Sequence, residues 1–428
     1  MLKLNRITLI LLFFFFSGAY ASGWEKIEVP NTVSTILDDN GQYKDIKPGC
    51  AFSYLPDEAG LPNKPFHFYY RKGTKPQTLV FFNGGGACWN DATCLTSLTV
   101  PVSPTTRPAY NPSMDFENVP HDAESVPGVG GILNIEREDN PLKDWNMVFI
   151  PYCTGDAHIG LNDKVYTDPL GIINAGKPII VQHRGFDNFM AVREWLKNRP
   201  DRFNTEKVLV AGSSAGAYGA LMNFSRLHSI YPSKTKVSLL SDAGVAVFTN
   251  NFLDTVFEPN GPWGTENTLA TWIPGISQIS SYNADNFFIN LVTGIERYFY
   301  KSKFAYVTTA WDGVQVLFLN MMKKTDQGIN NPSEWFNIAP ETFIEWNLRM
   351  LAAFNANVLT NSNAKYYVSA GTYHAGLVDV FVPDIFYTEN SASGIFLKDW
   401  VKRLVDDDKK RPLVNLMCSG TCGAPSSP

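Results

Sequence analysis

The chain has 428 residues with 44% hydrophobic, 13% aromatic and 18% charged side chains, and a formal net charge of −5. That length and apolar content suit one large globular domain with insertions. The acidic balance argues against nucleic acid or an anionic membrane as partner.

Residues 1–21 carry Lys3 and Arg6, then an almost wholly apolar run from Ile7 to Phe16, then Ala19-Tyr20-Ala21. This pattern reads as a secretory signal peptide cleaved after Ala21, and its apolar run is too short to span a bilayer. No second apolar span follows, so the expectation is a secreted or periplasmic protein without stable membrane insertion. Residues 22–428 are expected to form a single domain and a monomer. The six cysteines then lie in an oxidising compartment, where an even count suggests disulfides. Spacing favours Cys88–Cys94 and Cys418–Cys422, which leaves Cys50–Cys153. The cysteines form no C-x-x-C pair, and no histidine stands at ligand spacing, so no metal or other cofactor is expected.

Along the chain, His67–Tyr70 reads as extended, and Thr78–Phe82 as a buried strand running into Asn83-Gly84-Gly85-Gly86-Ala87-Cys88-Trp89. Three glycines after a strand mark backbone that takes unusual dihedrals or lets something approach closely. A phosphate loop would need Lys-Ser/Thr behind the glycines, and none is present. Cys94–Lys143 is long, Pro-rich and irregular, as a functional loop or cover would be. Met147–Ile150 reads as a third strand, followed by the polar loop Cys153-Thr-Gly-Asp156 with His158. A helix is expected from His183 to Asn198.

Lys207–Gly219 then passes from an apolar β-branched run, through small residues, into a helix predicted over Tyr218–Leu227. Gly212-Ser213-Ser214-Ala215-Gly216 fits G-x-S-x-G, the nucleophile elbow, in a strand–turn–helix setting. Ser214 is therefore the candidate nucleophile. The amides of Gly86, Ala87 and Ala215 are the candidate oxyanion donors, because such folds draw one from an earlier strand's loop and one from the residue after the nucleophile. Lys236–Leu240 reads as the next strand, ending at Ser241-Asp242. Strands alternating with helical segments indicate an α/β fold, an α/β-hydrolase-like, mostly parallel sheet flanked by helices. Residues 248–345, rich in aromatics and with a helical stretch around Phe288–Tyr300, read as cover that carries the acid, most of the aromatics serving as core packing.

A serine hydroxyl needs a base, and the base an orienting carboxylate. Only His228 and His374 follow Ser214. His228 is 14 residues along the helix leaving the elbow, about 21 Å away at roughly 1.5 Å per residue. His374, in a loop just past the strand-like run Lys365–Ser369, is the candidate base. Asp242 and Asp312 both qualify as the acid, and spacing prefers Asp242. Trp89, Asp156 and Trp311 are candidate substrate contacts, with core packing the competing role for Trp89.

Together, Phe82-Asn-Gly-Gly-Gly-Ala-Cys88, Val148-Phe-Ile-Pro-Tyr-Cys153, Gly212-Ser-Ser-Ala-Gly216, Ser241-Asp-Ala-Gly244 and Trp311-Asp-Gly-Val-Gln315 resemble, in order, the motifs of the pectin acetylesterase and Notum family of carboxylesterases. The resemblance implies a triad of Ser214, Asp312 and His374, against the preference from spacing, and an esterase rather than a peptidase. Ala87 stands where the family usually has Trp, and Trp311 where Tyr is more usual. The implied function is a secreted serine carboxylesterase acting on O-acyl esters, foremost O-acetyl groups of a polysaccharide such as pectin. The alternatives are a lipase or polyester depolymerase, a protein deacylase, or a catalytically silent glycan-binding protein.

Overall fold

The computed structural model describes residues 17–19, 23–30, 34–37, 43–52, 65–99, 109–114, 130–167, 177–406 and 408–425. Apart from Ser17–Ala19, the expected signal peptide lies outside these residues, as does much of the irregular segment 94–143.

The strands are β1 (Ser17–Ala19), β2 (Glu25–Glu28), β3 (Ser34–Leu37), β4 (Tyr43–Ile46), β5 (His67–Arg71), β6 (Gln77–Phe82), β7 (Asn146–Ile150), β8 (Asn162–Tyr166), β9 (Ile179–His183), β10 (Lys207–Ser213), β11 (Lys236–Asp242), β12 (Phe304–Thr309), β13 (Ala364–Ser369) and β14 (Leu416–Met417). Ten of them make one sheet in the order β1-β2-β5-β7-β6-β10-β11-β12-β13-β14, and β3–β4 and β8–β9 form separate ribbons. From β7 to β14 all neighbours are parallel, while β1, β2 and β5 add an antiparallel edge. This is the expected α/β-hydrolase-like architecture.

Strand β10 sits at the centre, buried from Val208 to Ser213. Because side chains alternate across a strand, Val80, Phe82, Val208 and Val210 enter one apolar cluster while Leu79, Phe81, Leu209 and Ala211 enter another. The helices Gly185–Lys197 and Ala215–Ile230 pack into the first cluster, through residues such as Phe189, Val192, Phe224 and Leu227. The helix Leu397–Val405 fills the second with Trp400, Val401 and Leu404. Burial on both faces explains why the central strands read as continuous apolar runs rather than alternating ones.

Two elements differ from expectation. The segment at His183 opens as a strand: Ile179–His183 pairs with Asn162–Tyr166, and the helix begins only at Gly185. The β-branched run Ile179-Ile180-Val181 favours the extended backbone. Residues 248–345 include not only cover helices at Asn250–Phe257 and Phe287–Tyr298 but also β12, a strand of the central sheet. Sequence reading passed over Phe304–Thr309, and that strand sets the position of Asp312.

Candidate active site

The parallel strands β6, β10, β11, β12 and β13 deliver their C-terminal ends to one edge of the sheet, where open α/β folds bind ligands. Ser214 follows β10 directly, with φ 58° and ψ −126°. Such a conformation is strained for a residue with a side chain and is held from both sides. The Ser214 N–H donates to Asp242 O at 2.8 Å. A Cβ on Gly212 would come within 2.2 Å of Gly216 O, and one on Gly216 within 2.0 Å of Phe82 O. The glycines of the motif are thus required by backbone contact, and the turn can tighten only because they are there.

His374 follows β13, and Asp312 follows β12. Since Thr309 and Ser369 are register partners on those adjacent strands, the two side chains are brought together although 62 residues separate them. His374 Nδ1 lies 2.9 Å from both Asp312 carboxylate oxygens. Asp312 also caps the helix Gly313–Asp326, with Oδ1 accepting from Val314 N and Gln315 N. Its Oδ2 accepts from Gln315 Nε2 at 2.9 Å. Gln315 is fixed in turn, since Oε1 accepts from Val245 N and Nε2 donates to Thr308 Oγ1. His374 is 3% exposed. Burial opposes its charged form, but the carboxylates of Asp312 and, more weakly, Asp242 outweigh burial and hold the imidazole above its ordinary value. Its other nitrogen, Nε2, is buried and has no hydrogen-bond partner among the described residues.

Asp242, the acid that spacing preferred, does not meet the imidazole. Its Oδ1 accepts from Gly376 N at 3.0 Å, and its Oδ2 from Leu377 N at 3.0 Å and Ser213 Oγ at 2.8 Å. His228 lies within the unbroken helix Ala215–Ile230.

The glycine segment after β6 turns at Gly85 (φ 152°) and Gly86 (φ 79°). A Cβ on Gly86 would fall 1.9 Å from Ala109 O. Ala87, expected as an oxyanion donor, already donates its N–H to Ala109 O at 2.9 Å. Its amide is therefore engaged elsewhere, which leaves Gly86 and Ala215 as the candidates. The Ala215 amide is among those the first turn of a helix leaves unpaired. A neutral histidine supports this strand end: His158 Nε2 is 2.9 Å from Asn83 O, and burial depresses its pKa to about 4.

A cavity opens beside Ser214 and His374, its roughly 830 Å³ of empty space counting the open solvent at its mouth. Gly86, Ala87 and Ala215 line it at the reactive end. The remaining wall includes Ile159, Tyr218, Leu221, Met222, Val245, Val247, Phe248, Phe252, Phe257, Trp263, Phe287, Leu291, Phe318 and Met322. It is almost entirely apolar, and much of it comes from the segment read in sequence as cover.

None of the three candidate substrate contacts lines this cavity. Trp89 is buried, its ring meeting Phe252 edge to face at 5.0 Å. Asp156 is fully buried and accepts from Thr154 Oγ1, His158 N and Gly185 N; burial raises its pKa to about 6 despite those bonds. It shapes the loop after β7 rather than facing a ligand. Trp311 donates from Nε1 to Thr421 O, and Gly371 N donates to Cys422 O. The C-terminal loop closed by Cys418–Cys422 therefore braces both the acid-bearing and the base-bearing turns. Cys50–Cys153 and Cys88–Cys94 are also disulfide-bonded. His183 stands close enough to Cys88 and Cys94 to share an ion, but those sulfurs bond each other. The His183 nitrogens face Tyr166 OH and Thr154 O.

Residues 64–258 match the pectinacetylesterase family profile. Among curated proteins, the chain is similar to the palmitoleoyl-protein carboxylesterase NOTUM of Mus musculus, 31% identical over 186 residues that cover 41% of this chain and 31% of that protein. It is 32% identical over 193 residues to the palmitoleoyl-protein carboxylesterase notum1' of Xenopus laevis, covering 43% of this chain and 33% of the relative. It is 27% identical over 186 residues to pectin acetylesterase 11 of Arabidopsis thaliana, covering 42% and 40%. The aligned part spans about a third of the length of the NOTUM relatives and two fifths of the plant relative.

Proposed function

We propose that this chain, which belongs to the pectin acetylesterase and Notum family, is a serine carboxylesterase that removes an apolar acyl group longer than acetyl. The observation that carries this reading is the apolar lining of the cavity that ends at Ser214 and His374. An acetyl group would leave most of that wall without contact. Each methylene taken up contributes about 0.8 kcal/mol, close to fourfold in kcat/KM.

In the first step His374 Nε2 takes the Ser214 hydroxyl proton as Oγ attacks the ester carbonyl. Asp312 holds the imidazole with its Nδ1–H toward the carboxylate, so that Nε2 is the basic atom, and stabilises the imidazolium that forms. The carbonyl oxygen becomes an oxyanion, stabilised by the Gly86 and Ala215 amides. The tetrahedral intermediate expels the alcohol, which takes the proton from His374, and leaves an acyl-Ser214 ester. Water then attacks that ester while His374 takes its proton. Collapse releases the acid and returns the proton to Ser214.

The resemblance to the plant pectin acetylesterase favours a second reading, release of acetyl from a polysaccharide. The name of the NOTUM relatives, palmitoleoyl-protein carboxylesterases, sides with the longer chain. Three disulfides and the leader-like N-terminus support action outside the reducing cytosol. No helix among the described residues is long and apolar enough to cross a membrane.

The test is a series of p-nitrophenyl esters from acetyl to palmitoyl, run with wild type and Ser214→Ala. The expected outcome is kcat/KM that climbs with acyl length until the cavity is filled, and loss of turnover in Ser214→Ala. A maximum at acetyl, with turnover of acetylated pectin, would establish the second reading instead.

A further inference from the structure

We infer that Asp242 is a positioning residue of the active site, tying the nucleophile's strand end to the loop that carries the base. This rests on the reading of Ser214 and His374 given above. One residue reaches both sides. Its backbone oxygen accepts from Ser214 N, and its carboxylate accepts from the Ser213 hydroxyl on the nucleophile's strand. The same carboxylate accepts from Gly376 N and Leu377 N, two and three residues beyond His374.

These tethers act on backbone that would not hold its shape alone. Ser214 and Ala375 both occupy the left-handed region, at φ 58° and 63°, which non-glycine residues adopt only when their surroundings enforce it. Asp242 is fully buried, which pushes its carboxyl above the ordinary value, while two backbone N–H groups and a hydroxyl that converge on it oppose that shift and are the partners an ionised group satisfies. The hydroxyl leaves the nucleophile's strand and the amides leave the base's loop, so the carboxylate fixes the separation between Oγ and imidazole. A misplacement of about 1 Å there can cost about 10²-fold in rate.

The carboxylate also acts on the base through space. The titratable groups around it are His374 and Tyr373, the latter hydrogen-bonded to Glu389, while Asp312 holds Nδ1 of the ring. Removing the Asp242 charge leaves Asp312 in place and takes away one of the two carboxylates that favour the imidazolium. Asp242→Asn also cannot satisfy all three donors: whichever way the amide turns, its NH2 faces a loop N–H.

The experiment compares kcat, KM and the pH profile of kcat/KM for wild type, Asp242→Asn and Ser213→Ala with a short-chain p-nitrophenyl ester. Asp242→Asn should lower kcat by about 10²-fold with KM nearly unchanged, and should move the acid limb to lower pH. A residue that served only the fold would not move that limb. Ser213→Ala removes the nucleophile-side tether but keeps the charge, so kcat should fall severalfold with the limb fixed. Wild-type kcat and an unmoved acid limb in Asp242→Asn would overturn the inference. Should Asp242→Asn fail to fold, unchanged kcat in Ser213→Ala would overturn it. If wild type turns over no ester, or Ser214→Ala retains activity, the esterase reading itself fails, a result distinct from either.

Discussion

Replacing Asp312 by Asn keeps size and shape while removing the negative charge and turning one acceptor oxygen into an NH2 donor, which makes it an informative perturbation. The Asn carbonyl will occupy the Oδ1 position, where Val314 N and Gln315 N both donate, so the helix cap survives. The NH2 group must then take the Oδ2 position, facing His374 Nδ1 and Gln315 Nε2. Gln315 cannot turn to offer its oxygen without leaving Val245 N unpaired. Because Nδ1 lies 2.9 Å from both positions, the imidazole either keeps its proton there and donates to the carbonyl at Oδ1 with the NH2 left against it, or relieves that clash by moving the proton to Nε2, the tautomer that cannot accept from Ser214. Where such a tautomer change has been measured in a serine triad, kcat fell about 10⁴-fold. The strained Gln315 contact should cost about 1–3 kcal/mol of stability. The assay is kcat for a short-chain p-nitrophenyl ester together with thermal melting of both proteins. A kcat within tenfold of wild type in Asp312→Asn, with a larger fall in Asp242→Asn, would refute the assignment of the acid.

Three further outcomes are expected. Leu291→Trp places an indole in the cavity wall; if it displaces three methylenes of a long acyl chain, about 2.4 kcal/mol is lost, about 60-fold in kcat/KM, while acetyl ester turnover stays within about threefold. Because the base must be neutral and its pKa lies above the ordinary 6.5, kcat/KM should decline as pH falls, with its midpoint above that value. A profile flat down to pH 6 would contradict this. The Cys50–Cys153 bond closes a loop of 103 residues, so Cys50→Ser with Cys153→Ser should lower unfolding free energy by up to about 4.7 kcal/mol in the chain-entropy view, read by denaturant titration.

The elbow was legible because its chemistry is local: a β-branched run, two glycines that backbone contact demands, and a serine between them. His374 was singled out by elimination. Its pairing with Asp312 came from the family resemblance and not from spacing, since the two meet only through the β12–β13 pairing, and β12 went unread in a segment whose aromatics suggested cover. Ala87 looked like a donor by position, but Ala109, 22 residues further on in irregular chain, takes its amide. Asp156 and Trp89 stand at strand ends, where ligands bind, yet both point into the protein. The role of Asp242 rests on amides 134 and 135 residues away, a relation that no local pattern encodes. The apolar residues of 248–345 were visible, but only folding shows which face the core and which line the cavity.

The proposed chemistry requires Ser214 to carry an apolar acyl group during turnover. The most direct measurement is peptide mass spectrometry after brief reaction with p-nitrophenyl esters of two and twelve carbons, quenched in acid. An acyl adduct is expected on the peptide containing Ser214, formed faster with the twelve-carbon ester. An adduct on another residue, or one formed only from the acetyl ester, would contradict it.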